Sequence, residues 1–243
     1  MYDRLKTIQL CHVVSLTLLL STSSASPASA YVAVKQIPLK QLFHTQSDWR
    51  VTAYQASGPD ASTGDVPAKI CFSRTGGTDD CTFITRRLDD DTLVYNHQTV
   101  NELRIVALTS KQDGVLLSAQ YSGGGSGLLN QIAIWSYDRS GDYFERVLTL
   151  SLTDSGSYQL VNAGPLEGDA ISADYVWEEG ESHFGSHRYR MSVNRYIGSG
   201  PHGHILQYVT RQKYPGADSS VDPEVIRHEL PRISDLLRRL YGH

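Results

Sequence analysis

The stretch LRIVALTSKQDGVLLSAQYSGGGSGLLNQIAIWSYDRSGDYFERVLTLSL, residues 103–152, decides the fold class. Residues 103–108, 115–121, 131–137 and 144–152 each read as a strand, and the segments between them carry turn residues. Four strands in succession with short connections predict an antiparallel meander.

Working outward, the same order returns at residues 158–161, 170–177, 188–196 and 204–211. In both sets one strand ends in tyrosine (Tyr121, Tyr175) and the next does too (Tyr137, Tyr196). A strand rich in Leu and Val follows. Segments 103–152 and 158–211 therefore read as weak internal repeats of about 55–60 residues, each a four-stranded meander. Residues 49–85 read as a third, degenerate copy. There, Trp49-Arg50-Val51-Thr52-Ala53-Tyr54 alternates in the two-residue period of a half-buried strand. Gly58, Pro59, Gly64 and Pro67 punctuate a loop after it.

Repeated four-stranded meanders build propeller blades, but propellers usually need at least four. This chain has room for fewer. The expectation is an all-β fold of repeated antiparallel four-stranded meanders, arranged as a propeller-like open stack or a sandwich, with one C-terminal helix.

That helix is expected within residues 219–243. Asp222-Pro223-Glu224 supplies a cap, a proline that loses no donor and an acid near the positive helix end. Ile226, Leu230, Ile233, Leu237 and Leu240 recur on one face. Pro231 falls inside the pattern and is expected to kink or divide it. The apolar face packs on the domain itself or forms a seam for a partner.

The N-terminus reads as a signal peptide over residues 1–30. Arg4 and Lys6 precede an apolar run over residues 8–20, and a small-residue stretch ends in Ala28-Ser29-Ala30. The apolar run is shorter and more interrupted than the ~20 residues of a membrane span. Cleavage after Ala30 leaves residues 31–243 as a single β-rich domain with no transmembrane segment. The alternative is an uncleaved anchor. Localisation is expected to be extracytoplasmic, in a periplasm or secreted.

Removing residues 1–30 takes away Cys11 and leaves Cys71 and Cys81, an even pair that reads as a disulfide in an oxidising compartment. It would staple two arms, residues 69–72 and 81–84, across Gly76-Gly77. The same cleavage removes Asp3, Arg4 and Lys6 and moves the net charge from −4 to −5. That balance lacks the basic footprint of a nucleic-acid binder.

Catalytic motifs are sparse. The chain has no G-x-S-x-G elbow, H-E-x-x-H helix, P-loop or dinucleotide fingerprint. Gly123-Gly124-Gly125-Ser126-Gly127 precedes a strand rather than a helix, so it reads as a hairpin connection and not a phosphate cradle. Asp89-Asp90-Asp91 lacks calcium-loop spacing and reads as a solvated turn.

One polar constellation stands out in residues 178–188, which contain Glu181, His183 and His187, with His202 and His204 in the next loop. Imidazole and carboxylate are the ligands of a divalent metal such as zinc, which needs three or four of them converging. Without metal, Glu181 with His183 or His187 makes an acid/base pair, beside the serines Ser182 and Ser186. A third reading is a binding surface for a protein or glycan ligand. Trp135 and Trp177, with Tyr175, are the aromatics in the repeats that would stack on it. The leading expectation is an exported, non-catalytic binding or envelope-associated domain, and the alternative is a metal-binding protein or metal-dependent hydrolase using Glu181, His183 and His187.

Overall fold

The structure is a computed structural model that describes residues 30–57, 67–84, 86–87, 93–94, 98–122, 128–153, 156–182, 185–198, 200–215 and 223–242. Residues 1–29 of the expected signal peptide, residues 58–66, Asp89-Asp90-Asp91, the Gly123–Gly127 run and Asp222 lie outside these residues.

Three antiparallel four-stranded sheets follow one another along the chain. Sheet 1 holds β1 (Ala30–Pro38), β2 (Trp49–Ser57), β3 (Lys69–Arg74) and β4 (Asp80–Phe83), and the single-turn helix α1 (Lys40–Phe43) joins β1 to β2. A small ladder, β5 (Arg86–Arg87) with β6 (Leu93–Val94), follows. Sheet 2 holds β7 (Gln98–Ala107), β8 (Asp113–Ser122), β9 (Leu128–Asp138) and β10 (Tyr143–Thr153). Sheet 3 holds β11 (Ser157–Val161), β12 (Asp169–Val176), β13 (Arg188–Arg195) and β14 (Gly203–Val209). Helix α2 (Pro223–Tyr241) ends the described chain. Each sheet is a meander in which strands pair in sequence order, so each needs only short connections. The fold is all-β with one long helix, an open stack and not a closed barrel.

The first unit is complete rather than degenerate, because β1 precedes Trp49. The strand is hard to read in the sequence: it lies at a sheet edge and leaves Val32 and Val34 exposed, so no apolar period marks it. Cys71 and Cys81 pair directly across β3 and β4 and form the expected disulfide.

Alternation along the strands stacks the sheets. In β8, Val115, Leu117 and Ala119 point into a core shared with Val51, Ile70 and Phe72 of sheet 1. Leu116, between them, points the other way into a core with Ala170 of sheet 3. Sheet 2 is thus buried on both faces, which is why Val115-Leu116-Leu117 is a continuous apolar run instead of an alternation. Each of these buried Val, Leu, Ile or Phe side chains contributes about 2 kcal/mol over leaving it exposed.

Sheet 3 is covered on its far side by α2. Ile226, Ile233 and Leu237 pack there against Ile171, Tyr175 and Met191, while Leu240 stays exposed. The helical face therefore packs on its own domain. Pro231 does not divide α2, which runs unbroken through it. Buried Glu229 fixes the docking by accepting hydrogen bonds from Tyr208 Oη (2.8 Å) and Tyr214 Oη (2.6 Å).

Candidate functional site

Turn parity sorts the connections. In a meander, the first and third turns lie at one end of a sheet and the second turn at the other. The polar constellation read from the sequence belongs to the second turn of sheet 3, between β12 and β13. The strands bring two of its members together: His187 Nδ1 lies 2.9 Å from Glu181 Oε2. Glu181 is held by three donors. Lys213 Nζ donates to Oε1 at 2.6 Å, and the Glu178 N–H donates to Oε2 at 3.0 Å. These bonds, Lys213 first, pull the Glu181 carboxyl down to about 2. An ionised carboxylate only accepts, so His187 donates from Nδ1 to Glu181 and turns Nε2 inward.

The His187 ring is fully buried. It stacks on Tyr175 at 4.5 Å and meets Trp177 edge-on at 4.9 Å. Among the described residues its Nε2 finds no hydrogen-bond partner. His183 lies outside the described residues. His202 and His204 do not join the pair. His202 donates from Nδ1 to the Val147 carbonyl at 3.0 Å, and burial pushes its imidazole below the usual range. His204 is exposed on β14, opposite Asn194. Among the described residues, no group of three His, Cys, Asp or Glu side chains converges to hold a metal. Ser182 and Ser186 make no described hydrogen bond to His187.

The aromatics separate. Trp135 sits in the core between sheets 1 and 2, with Phe72 at 5.8 Å, and Tyr175 is buried against α2. Of the three, only Trp177 reaches the surface, at 47% exposure. The two tryptophans hold different places in their units: Trp135 lies inside a third strand and Trp177 follows a second strand.

At the opposite end, the first and third turns gather around a cleft of about 620 Å³. Its walls come from all three units: Leu42 to His44 at the end of α1, Lys111 to Asp113 at the start of β8, and Ser136 to Ser140 at the end of β9. Glu145 of β10 and Tyr196 and Gly198 beyond β13 complete it.

A one-way hydrogen-bond chain lies along its floor. Gln112 Nε2 donates to Ser136 Oγ, Ser136 Oγ lies 3.2 Å from Tyr196 Oη, and Tyr196 Oη donates to the Gly198 carbonyl at 3.0 Å. An amide NH₂ only donates and a carbonyl only accepts, so the two hydroxyls between them are oriented. Ser136 and Tyr196 are both buried, and burial raises the Tyr196 phenol.

Beside the cleft, Asp142 ties sheets 1 and 2 together. It accepts from Ser47 Oγ (2.5 Å), Tyr137 Oη (2.7 Å), Trp49 Nε1 (3.0 Å) and an Arg74 guanidinium nitrogen (3.2 Å). Ser110, by its N–H and hydroxyl, binds Glu167 at 2.7 and 2.6 Å and ties sheets 2 and 3. The cleft is thus framed by fixed turns. Sequence reading missed it because its residues span positions 42 to 198 and no local motif joins them. The available signal was parity: Lys111-Gln112-Asp113-Gly114 and Asp138-Arg139-Ser140-Gly141 are turn sequences two strands apart, so they share one sheet end.

Compared with protein-family models, with curated proteins and with solved structures, the chain matches none.

Proposed function

We propose that the chain is exported and acts outside the cytoplasm as a binding protein, taking a small polar ligand in the cleft where the first and third turns meet. The observation that carries this reading is the cleft itself. Its size falls within the roughly 300–1,000 Å³ of small-molecule sites, and its oriented hydroxyls rest on packed strands. Its chemistry suits binding more than proton transfer. A general acid or base works best with a pKa near the operating pH, whereas Asp138 is held below its usual range by the hydroxyl and N–H of Ser140. Export is supported by the basic, apolar and small-residue order of residues 1–30 and by the Cys71–Cys81 bridge.

The test is saturation-transfer NMR of the mature chain against mixtures of small polar compounds, repeated on Leu42→Trp. Leu42 is exposed on the cleft wall, so the larger ring fills the opening without touching the floor. Signals that vanish in Leu42→Trp support the reading. Signals that persist place the ligand elsewhere, and silence from every compound rejects it.

A second reading rests on the buried His187 Nε2. A metal-binding imidazole commonly donates its other nitrogen to a carboxylate, as His187 does to Glu181. Glu181 would then orient the ligand rather than bind the ion, since both its oxygens are engaged. The described residues offer one free ligand atom, short of the three or four that zinc takes. Metal content of the untagged mature protein tests it. Stoichiometric metal that is lost in His187→Ala and His183→Ala favours this reading, and metal-free protein that takes up none on addition removes it.

A further inference from the structure

We infer that the ligand of the cleft is a cationic hydrogen-bond donor, a small molecule carrying an ammonium group. This rests on the cleft being the binding site.

The inference follows from where the hydroxyl hydrogens of the cleft go. Its lining carries the hydroxyls of Ser136, Tyr137, Ser140 and Tyr196. Each hydroxyl has a single hydrogen to give. Tyr137 Oη donates to Asp142 at 2.7 Å, Ser140 Oγ to Asp138 at 2.7 Å and Tyr196 Oη to the Gly198 carbonyl at 3.0 Å. With the Tyr196 hydrogen spent on Gly198, the 3.2 Å contact between Ser136 Oγ and Tyr196 Oη uses the hydrogen of Ser136, which itself receives from Gln112. All four hydrogens are thus committed within the protein. Toward a ligand these hydroxyls offer oxygen lone pairs only.

Charge points the same way. Asp138 and Glu145 are half-buried in the lining, whereas Lys111, Arg139 and His44 are exposed, as is Asp113. Lys111 acts on Glu167, outside the cleft, and helps to hold that carboxyl below its usual range. Glu145 accepts the Gly200 N–H on Oε1 at 3.0 Å, and its Oε2 takes no hydrogen bond among the described residues. At the floor, burial is the main cause of the raised Tyr196 phenol, and the negative charges of Glu145 and Asp138 add to it. The buried hydroxyls therefore lie in the field of two carboxylates.

An ammonium brings three donors, no acceptor and a positive charge, so acceptor-only hydroxyls and carboxylates satisfy it fully. A sugar hydroxyl brings an acceptor with every donor. Its oxygens would find side-chain donors only at exposed Lys111, Arg139 and His44 and at the Gln112 amide.

Three probes of one chain length test this on the mature chain by amide NMR and calorimetry: putrescine, butanediol and succinate, which end in ammonium, hydroxyl and carboxylate groups. Putrescine is expected to shift the amides of Ser136, Asp138 and Tyr196, with affinity at least about tenfold above that of butanediol, while succinate leaves them in place. Glu145→Gln, which keeps an oxygen for the Gly200 N–H, is expected to lose about tenfold in putrescine affinity, and Leu42→Trp to lose the shifts altogether. Asp113→Asn serves as the second charge variant if Glu145→Gln does not fold. Butanediol or succinate binding as tightly at the same amides overturns the ammonium and leaves the binding site standing. So does putrescine binding that no charge variant weakens, and so does a cleft filled from the broad mixtures only by compounds without an ammonium group. Silence from these probes and from the mixtures overturns both.

Discussion

Asp142 shows how much one side chain is asked to hold. Burial by itself would raise its carboxyl, but hydrogen bonds from Ser47, Tyr137 and Trp49 outweigh this and bring it from 3.8 down to about 2. Its backbone is left-handed at φ 52°, a region that Asp and Asn tolerate better than other side chains. Asp142→Asn therefore keeps the turn while replacing an acceptor-only group by one that aims N–H donors at donors. The expected loss is about 2 kcal/mol at neutral pH. A group whose folded pKa is depressed contributes its stability above the unfolded value and loses it as pH falls through the folded one. The gap between wild type and Asp142→Asn should thus be full above about pH 4 and shrink between about 3.8 and about 2. Urea unfolding at pH 7 and pH 3 measures both gaps, and equal gaps would rule out this account of the carboxylate. Glu181 is also brought down to about 2, but by Lys213, Glu178 and His187 at the other end of the stack. Comparing variant with wild type separates the two carboxylates.

At the scale of elements, α2 carries a defect that its packing tolerates. Pro231 has no N–H, so the Arg227 carbonyl four residues earlier loses its helical partner. The helix nevertheless stays whole, because Ile226 and Ile233 on either side are fully buried against sheet 3 and Glu229 is clamped by two phenols. Tertiary burial outweighs local propensity here. Pro231 itself is exposed, so Pro231→Ala is expected to restore the bond without disturbing the core, a gain of about 1–2 kcal/mol after the greater freedom of the unfolded chain is counted. A higher urea midpoint at unchanged slope is the expected result. An unchanged or lower midpoint would mean that the proline fits the helix at no cost. The period of Ile226, Leu230, Ile233 and Leu237 is strong enough to read from sequence alone. The tolerance of Pro231 is not, because it depends on what the neighbouring turns touch.

The molecule as a whole is a stack with unequal ends. Sheet 2 is covered on both faces, sheet 3 is covered by sheet 2 and by α2, and no second long helix covers sheet 1 among the described residues. Helix α2 acts as a cap of the kind that closes repeat arrays. Deleting residues 216–243 would bare Ile171, Tyr175, Tyr189, Met191 and Val193 together. A patch of that kind drives association. The truncated chain is expected to bind a hydrophobic dye and elute as aggregates in size-exclusion chromatography, while the same chain with residues 216–243 in place does neither. A truncated chain that stays monomeric and dye-negative would show that sheet 3 needs no cap.

By itself, the sequence determined the local structure. Runs such as Val115-Leu116-Leu117 and Ile132-Ala133-Ile134-Trp135, short, apolar and cut by turn residues, favour strands over helices, and short connections make those strands antiparallel neighbours. The meanders, the C-terminal helix and the Cys71–Cys81 pairing follow from this. Only the tertiary structure decided which polar residues meet. It placed Glu181 beside His187, sent His202 and His204 to other partners, and buried Trp135 while leaving Trp177 at the surface. It also assembled the cleft, from His44, Lys111, Arg139 and Tyr196 on separate turns of three sheets. The reason is physical. Period and turn chemistry act over a few residues, whereas the meeting of turns far apart in the chain depends on how whole sheets pack face to face.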